Sequence, residues 1–243
     1  MDVIICKTSA DAEKLAARMI ADAINAKPEF KLGLATGATM ENVYAELSRL
    51  NQAGEVDFSQ VRSWNLDEYA GLAPEHDQSY RYYMNTKLFD HINIDLKNTN
   101  VPCGSAEDAD AECEAYECKI ANAGGVDLQV VGMGPNGHVG FNEPGESLVG
   151  PTHKTALTPS TIAANSRFFE SADLVPTMAL TMGMKSILSA RKIVVVVNGA
   201  AKHEPLQKLL SGDISTKYPI TFLNLHNDVT LFCDKEAYYG KNK

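Results

Sequence analysis

The chain has 243 residues, with 22 Lys and Arg against 31 Asp and Glu, a formal net charge of −9. That length can bury a large core without a metal or disulfide staple, and 44% hydrophobic with 22% charged residues excludes a disordered chain. The acidic balance argues against non-specific nucleic-acid binding, yet a few local cations and backbone N–H groups can still hold a small anion.

No apolar stretch approaches the ~20 residues of a membrane span. The start, Met1-Asp2-Val3-Ile4-Ile5, lacks the basic region and apolar core of a secretory signal. The five cysteines (Cys6, Cys103, Cys113, Cys118 and Cys233) include no C-x-x-C pair and read as reduced, buried thiols of a cytoplasmic protein.

Short β-rich runs alternate with longer amphipathic ones, which predicts a Rossmann-like α/β fold: an open, mostly parallel sheet with helices on both faces. Val3–Cys6 opens as a strand. Ser9 then caps a helix with Leu15, Ala16, Met19, Ile20 and Ala23 at helical spacing. Lys31–Ala35 is the next strand and Met40–Leu50 the next helix, stopped near Gly54. Val61–Leu66 is a strand ending at a polar cluster. Two helices come next, over Ser79–His91 and Asp108–Ala123. Asp127–Gly132 is a strand apolar on both faces, hence central. Lys192–Asn198, a helix over Ala201–Leu210 and a last strand at Val229–Cys233 complete the pattern. No repeat or linker divides the chain, so one domain is expected. Gly145–Ser160 is the least periodic stretch, and a lid over about 145–170 is expected there.

Four polar clusters stand at the ends of predicted strands: Thr36–Thr39, Asn65–Tyr69, Gly134–Glu143 and Asn198–Lys202. The carboxyl edge of an open α/β sheet is where ligands bind. Thr36-Gly37-Ala38-Thr39 sits between strand and helix, where backbone N–H groups and hydroxyls suit a phosphate monoester. It lacks the P-loop spacing and lysine, and is also compatible with an ordinary capped turn.

Gly132-Met133-Gly134-Pro135-Asn136-Gly137 matches the dinucleotide fingerprint G-x-G-x-x-G, but the next residues, His138–Gly145, make a poor helix. No acid stands about 20 residues on to hold a ribose, so no nucleotide cofactor is expected. The loop instead presents His138 and Glu143, an imidazole and the carboxylate that orients it. Asp67 ends a different strand and offers a second, independent base. Such a set suits proton transfer at neighbouring carbons, as in ring opening followed by enolisation. Taken singly, His138 also fits a structural histidine, and Asp67 a turn or cap. No H-x-H or H-E-x-x-H spacing is present, and no metal is expected. Arg167 and Lys202 are candidate phosphate cations, one a bidentate fork and the other a point charge.

Leu32–Gly37, Asn65-Leu66-Asp67-Glu68-Tyr69, Gly137–Pro144 and Asn165–Phe169 together resemble the glucosamine-6-phosphate deaminase (isomerising) family nearly end to end. The resemblance implies a cofactor-free enzyme, a hydrolase acting on an amino sugar phosphate, that turns glucosamine 6-phosphate into fructose 6-phosphate and ammonia. It implies Asp67 as the base at C2, His138 as the ring-opening catalyst, Glu143 as its partner, and Thr36–Thr39 with Arg167 and Lys202 as the phosphate site.

The chain departs from this family at Asn136, where many members carry Asp. A carboxylate contact to the imidazole is then lost, His138 should lean more on Glu143, and the pH optimum should move while activity survives between about pH 6 and 9. Regulated hexameric relatives have a longer tail and basic effector-site residues where His153 and Thr155 stand here. A monomer without activation by N-acetylglucosamine 6-phosphate is therefore expected. The nearest alternative resemblance, 6-phosphogluconolactonase, tends to lack a counterpart of Glu143. A sugar-phosphate-sensing regulator domain would normally carry a DNA-binding helix-turn-helix.

Overall fold

A computed structural model describes residues 1–166, 169, 171 and 174–241. Ten strands and eight helices are described, in the chain order β1 (Asp2–Cys6), α1 (Ser9–Ala26), β2 (Lys31–Leu34), α2 (Ala38–Gln52), β3 (Arg62–Asn65), β4 (Asp67–Tyr69), α3 (Tyr80–Lys87), β5 (Thr99–Asn100), α4 (Ala109–Asn122), β6 (Leu128–Val131), β7 (His153–Ala156), α5 (Pro159–Asn165), β8 (Met178–Thr181), α6 (Met184–Leu188), β9 (Lys192–Val197), α7 (His203–Leu210), β10 (Val229–Asp234) and α8 (Lys235–Tyr239).

Seven strands form one sheet in the order β1-β10-β9-β6-β2-β3-β5, and every pair in it is parallel. β6 lies fourth of seven, in the centre as its two-sided apolar sequence predicts. All of Ile193–Val197 is at most 1% exposed, so helices cover the sheet on both faces. From β2 the chain builds outward through β3 and β5; it then returns to the other side of β2 for β6 and proceeds through β9 to β10. The loops leaving β2 and β6 therefore flank the point where strand order reverses, which is the ligand crevice of such sheets.

Sequence expectation and structure differ in several places. Thr8, not Ser9, caps α1: its hydroxyl accepts from the Asp11 N–H while Asp11 reaches back to the Thr8 backbone. Ser9 instead donates to Asp234 at 2.7 Å. The buried stripe of α1 runs Ala12-Ala16-Ile20-Ile24, leaving Leu15 48% exposed. Lys31–Ala35 ends one residue early, and Ser79–His91 is α3 followed by a 3₁₀ turn at Phe89–His91. Among the five free cysteines, Cys103 and Cys118 are exposed rather than buried.

A second sheet, unforeseen, has the order β4-β8-β7 with antiparallel pairs. Leu66 joins the two sheets, donating to Leu34 O at 3.0 Å and accepting from Met182 N at 2.6 Å. The chain thus steps out of the parallel sheet immediately before Asp67. Among the described residues no helix is long and apolar enough to cross a membrane.

Candidate active site

The step between sheets explains the state of Asp67. As the first residue of β4 it pairs with Thr181 of β8 and is 5% exposed. Its Oδ1 is buried without a hydrogen-bond partner among the described residues. Burial first, and the neighbouring Glu68 charge second, push its carboxyl up to about 8. Glu68 is also buried, but it accepts from the backbone N–H groups of Tyr69, Tyr80 and Arg81 at 2.8, 2.8 and 2.9 Å. It therefore pins the start of α3 while its charge bears on Asp67. Nothing in the sequence marks this role, where Glu68 stands only as one letter of the Asn65–Tyr69 motif.

The loop after β6 turns back onto Asp67. A Cβ at Gly140 would lie 2.9 Å from Thr181 Oγ1 and 3.1 Å from Asp67 Oδ2, so this backbone passes directly over the carboxylate. Phe141 N donates to Thr181 Oγ1 at 3.1 Å, and Asn142 Nδ2 donates to Met182 O at 2.8 Å, fastening the loop to β8. On its outer side Ile220 N donates to Gly137 O at 2.8 Å and Gly145 N to Thr216 O at 3.2 Å. Asp67 and the loop carrying His138 are thus brought together, as the chemistry requires.

His138 and Glu143 face each other with Nδ1 3.4 Å from Oε1, ion-pair range but longer than an aligned hydrogen bond. Glu143 is held more closely by two other groups: Asn136 Nδ2 donates to Oε2 at 2.8 Å, and Thr161 Oγ1 donates to Oε1 at 2.6 Å. Burial pushes its carboxyl up, but His138, Thr161 and Asn136 outweigh this and hold it at about 2. Glu143 is an anion throughout the working range. Asn136 stands against Glu143, and its Oδ1 also accepts from His138 N at 3.2 Å. Both amide ends therefore brace the loop. Thr161, on α5, goes unread in the sequence because a threonine in an irregular stretch gives no periodic signal.

Gly134 is where the imidazole lies flat on backbone. A Cβ there would sit 2.2–2.4 Å from three ring atoms of His138. Gly134→Ala is therefore expected to displace the ring and lower kcat by about tenfold or more, since small misplacements of a catalytic group cost this much. Steady-state kinetics with a thermal melt, to confirm an intact fold, check it.

The phosphate candidates occupy the same edge. Gly37 has φ +111°, a conformation that side chains resist, and it lets the exposed turn enter α2 with no side chain over the first N–H groups. Thr36 and Thr39 are half-buried beside exposed Gly37 and Ala38. Glu13 of α1, 5% exposed, accepts from Asn42 of α2 at 2.9 Å and from Asn198 at the end of β9 at 2.8 Å. One buried carboxylate thereby ties the Thr36–Thr39 helix to the loop that carries Lys202. Asp234 accepts from Gly199 N at 3.0 Å and anchors the same loop. Lys202 is half-buried, and its ammonium has no hydrogen bond or ion pair among the described residues. Burial drives it down to about 8. A cation so placed favours an anion. Arg167 lies outside the described residues, so only Lys202 of the two predicted cations can be placed. Among the described residues no cluster of His, Cys, Asp or Glu is arranged to hold a metal.

A buried carboxylate, an imidazole facing a second carboxylate, and a Gly/Thr turn beside a half-buried lysine line one edge of a parallel sheet, an arrangement suited to acid–base chemistry on a small anion. Residues 7–232 match the family of glucosamine-6-phosphate isomerases/6-phosphogluconolactonase, and the chain belongs to it. The chain is 52% identical over 237 residues to a glucosamine-6-phosphate deaminase of Clostridium perfringens, covering 98% of each chain. It is similar to the solved structure of a monomeric glucosamine-6-phosphate deaminase, with a TM-score of 0.96, 44% identity and coverage of 99% of this chain and 100% of that one. A 6-phosphogluconolactonase from Thermotoga maritima has the same fold at a TM-score of 0.74 and 21% identity, covering 96% of this chain and 99% of that one.

Proposed function

We propose that this protein is an isomerising deaminase that converts glucosamine 6-phosphate and water into fructose 6-phosphate and ammonia. The observation that carries the reading is the unpartnered, buried Asp67 carboxyl beneath the loop that presents His138 and Glu143.

Each group has a task its chemistry suits. A ring-closed sugar has no acidic C–H, so opening comes first. His138 passes a proton between the C1 hydroxyl and the ring oxygen, and Glu143 stabilises the imidazolium that forms transiently. The open aldehyde acidifies the C2 proton. Asp67, ionised, removes it while O1 takes a proton from the substrate's ammonium, giving an enolamine, and then returns its proton to C1, which leaves a protonated C2 imine. Water adds to that imine and ammonia departs. The net reaction consumes water, yet its committed steps are an aldose–ketose isomerisation, so "isomerising deaminase" describes it better than "hydrolase". The Thr36–Thr39 turn, Lys202 and Arg167 hold the phosphate and fix C1 and C2 over the two bases.

We place the enzyme in the cytoplasm as a monomer of one domain, in keeping with its free thiols and with the monomeric deaminase it resembles. We propose a lid over about 145–170, where residues 167, 168 and 170 lie outside the described residues, and His153 and Thr155 leave the enzyme without an effector response.

An ammonia-release assay run beside a lactone-hydrolysis assay tests the reading. Ammonia formed from glucosamine 6-phosphate, with hyperbolic kinetics and no added activator, is the expected result. Lactone hydrolysis alone overturns it, as does tight sugar-phosphate binding without turnover.

Replacing Lys202 should act on affinity. A hydrogen bond to a charged group contributes about 1.5–3 kcal/mol, so Lys202→Gln is expected to raise KM roughly 10- to 100-fold with kcat little changed. Wild-type affinity should also weaken as the free ammonium empties above pH 8. Initial rates across substrate concentration and pH measure both effects.

A further inference from the structure

Glu143 can do its work only if its carboxylate is aimed at His138, yet the imidazole contact alone is long at 3.4 Å. The carboxylate needs other anchors, and the described residues supply two. Asn136 holds Oε2 from within the same loop. The other anchor comes from a different element. Thr161, in the first turn of α5, donates its only hydroxyl proton to Oε1 at 2.6 Å, the same oxygen that faces His138.

That proton has a fixed direction. Thr158, the residue capping α5, donates through Oγ1 to Thr161 Oγ1 at 3.0 Å, and also accepts from Thr161 N at 3.2 Å. Thr161 thus receives one hydrogen bond from Thr158 and passes its own to Glu143. A hydroxyl so polarised is a stronger donor than an isolated one. Bonds of this kind to a carboxylate are among the stronger hydrogen bonds in proteins.

We propose that Thr161 is a positioning residue for the deamination, supplying from α5 the hydrogen bond that aims the Glu143 carboxylate at His138. The catalytic imidazole is therefore set up only when the first turn of α5 rests against the loop after β6. Ring opening is coupled to the docking of a helix that belongs to neither the parallel sheet nor the phosphate turn. This inference rests on the deaminase reading.

Thr161→Val keeps the shape and removes the donor, and Thr161→Ala removes it without an added methyl. Each is expected to lower kcat for ammonia release by about 10- to 100-fold, the range for losing a bond to a charged group, with KM changed less than about threefold. Thr161→Ser restores the donor and should recover most of the rate. Because the residue acts through Glu143, Thr161→Val placed on Glu143→Ala should cost less than about twofold further. A merely structural role would give no rescue by Ser and the same factor in both backgrounds. Either of those results overturns the proposal, as does a kcat for Thr161→Val within about threefold of wild type. Absence of ammonia release by the wild type would instead strike the deaminase reading itself.

Discussion

Asp67→Asn is expected to lower kcat by about 10³-fold while KM stays within a factor of about three. General-base catalysis contributes roughly 10²–10⁴, and Asn keeps the size of the side chain and the backbone pairing opposite Thr181 while removing the ionisable carboxylate. In the proposed mechanism the carboxylate acts on a C–H bond, so its value is realised in the transition state rather than in binding. Loss of solvent-hydrogen incorporation at C1 of fructose 6-phosphate, followed by mass spectrometry in D₂O, would confirm that proton transfer is what fails. A raised KM with kcat intact would reassign Asp67 to substrate binding.

The same residue makes a prediction about pH. The proposed mechanism needs Asp67 ionised in the free enzyme, where its carboxyl stands at about 8, and Lys202 protonated, which also stands at about 8. The profile of kcat/KM should be a narrow bell centred near pH 8. Bound phosphate holds the lysine charged, so the alkaline limb should be missing from kcat.

Stability should run the other way. The native state keeps the Asp67 proton up to about pH 8, whereas the unfolded chain releases it near 4. Between those values the native state binds more protons, so wild-type stability falls as pH rises through this window and levels off beyond it. Asp67→Asn does not titrate. Its melting temperature should exceed that of wild type at pH 8, and the gap should narrow steadily toward pH 5. An inactive variant more heat-stable than its parent would identify a carboxylate kept dry at the expense of stability. A gap that widens toward acid pH would mean the carboxyl is held ionised instead.

The centre of the parallel sheet is legible in the sequence because its strands are largely apolar runs between turn signals, unlike the edge strand β5 (Thr99–Asn100), which has no such pattern and goes unread. Ile193–Val197 and Leu128–Val131 announce two-sided burial by composition alone. The second sheet is not. β4 is three residues, two of them acidic, and it pairs with Met178–Thr181, more than a hundred positions away. Local pattern carries no trace of such a pairing. β7 hides for a related reason: His153–Ala156 alternates half-buried and exposed within a Gly- and Pro-rich stretch, and so reads as loop.

The site divides in the same way. His138 with Glu143, and Asp67 apart from them, can be read because acid–base chemistry demands those side chains beside strand ends. What tunes them cannot. The raised Asp67 carboxyl depends on a change of sheet at Leu66, and the lowered Glu143 depends on Thr161 from another element. Asn136, expected to leave His138 leaning more on Glu143, also donates its amide to that carboxylate, a bond the sequence does not announce.

His138→Gln should separate the two halves of the reaction. Glutamine retains a polar group over Gly134 but cannot shuttle a proton between two oxygens, so enzyme-assisted ring opening stops while Asp67 remains in place. The variant can still process the small open-chain fraction that forms in solution. Turnover is expected to fall about 10²- to 10³-fold, within the range for losing an acid–base group. The informative measurement is the isotope effect with substrate deuterated at C2. Where C–H cleavage by Asp67 limits turnover, as in an enzyme with intact ring opening, deuterium slows the reaction. In His138→Gln the supply of open-chain sugar becomes limiting, and the effect should shrink toward unity. Asp67→Asn should do the reverse, since its residual rate is governed by proton abstraction. An isotope effect that grows in His138→Gln would mean the imidazole takes part at C2 itself, and the assignment of the two bases would have to be exchanged.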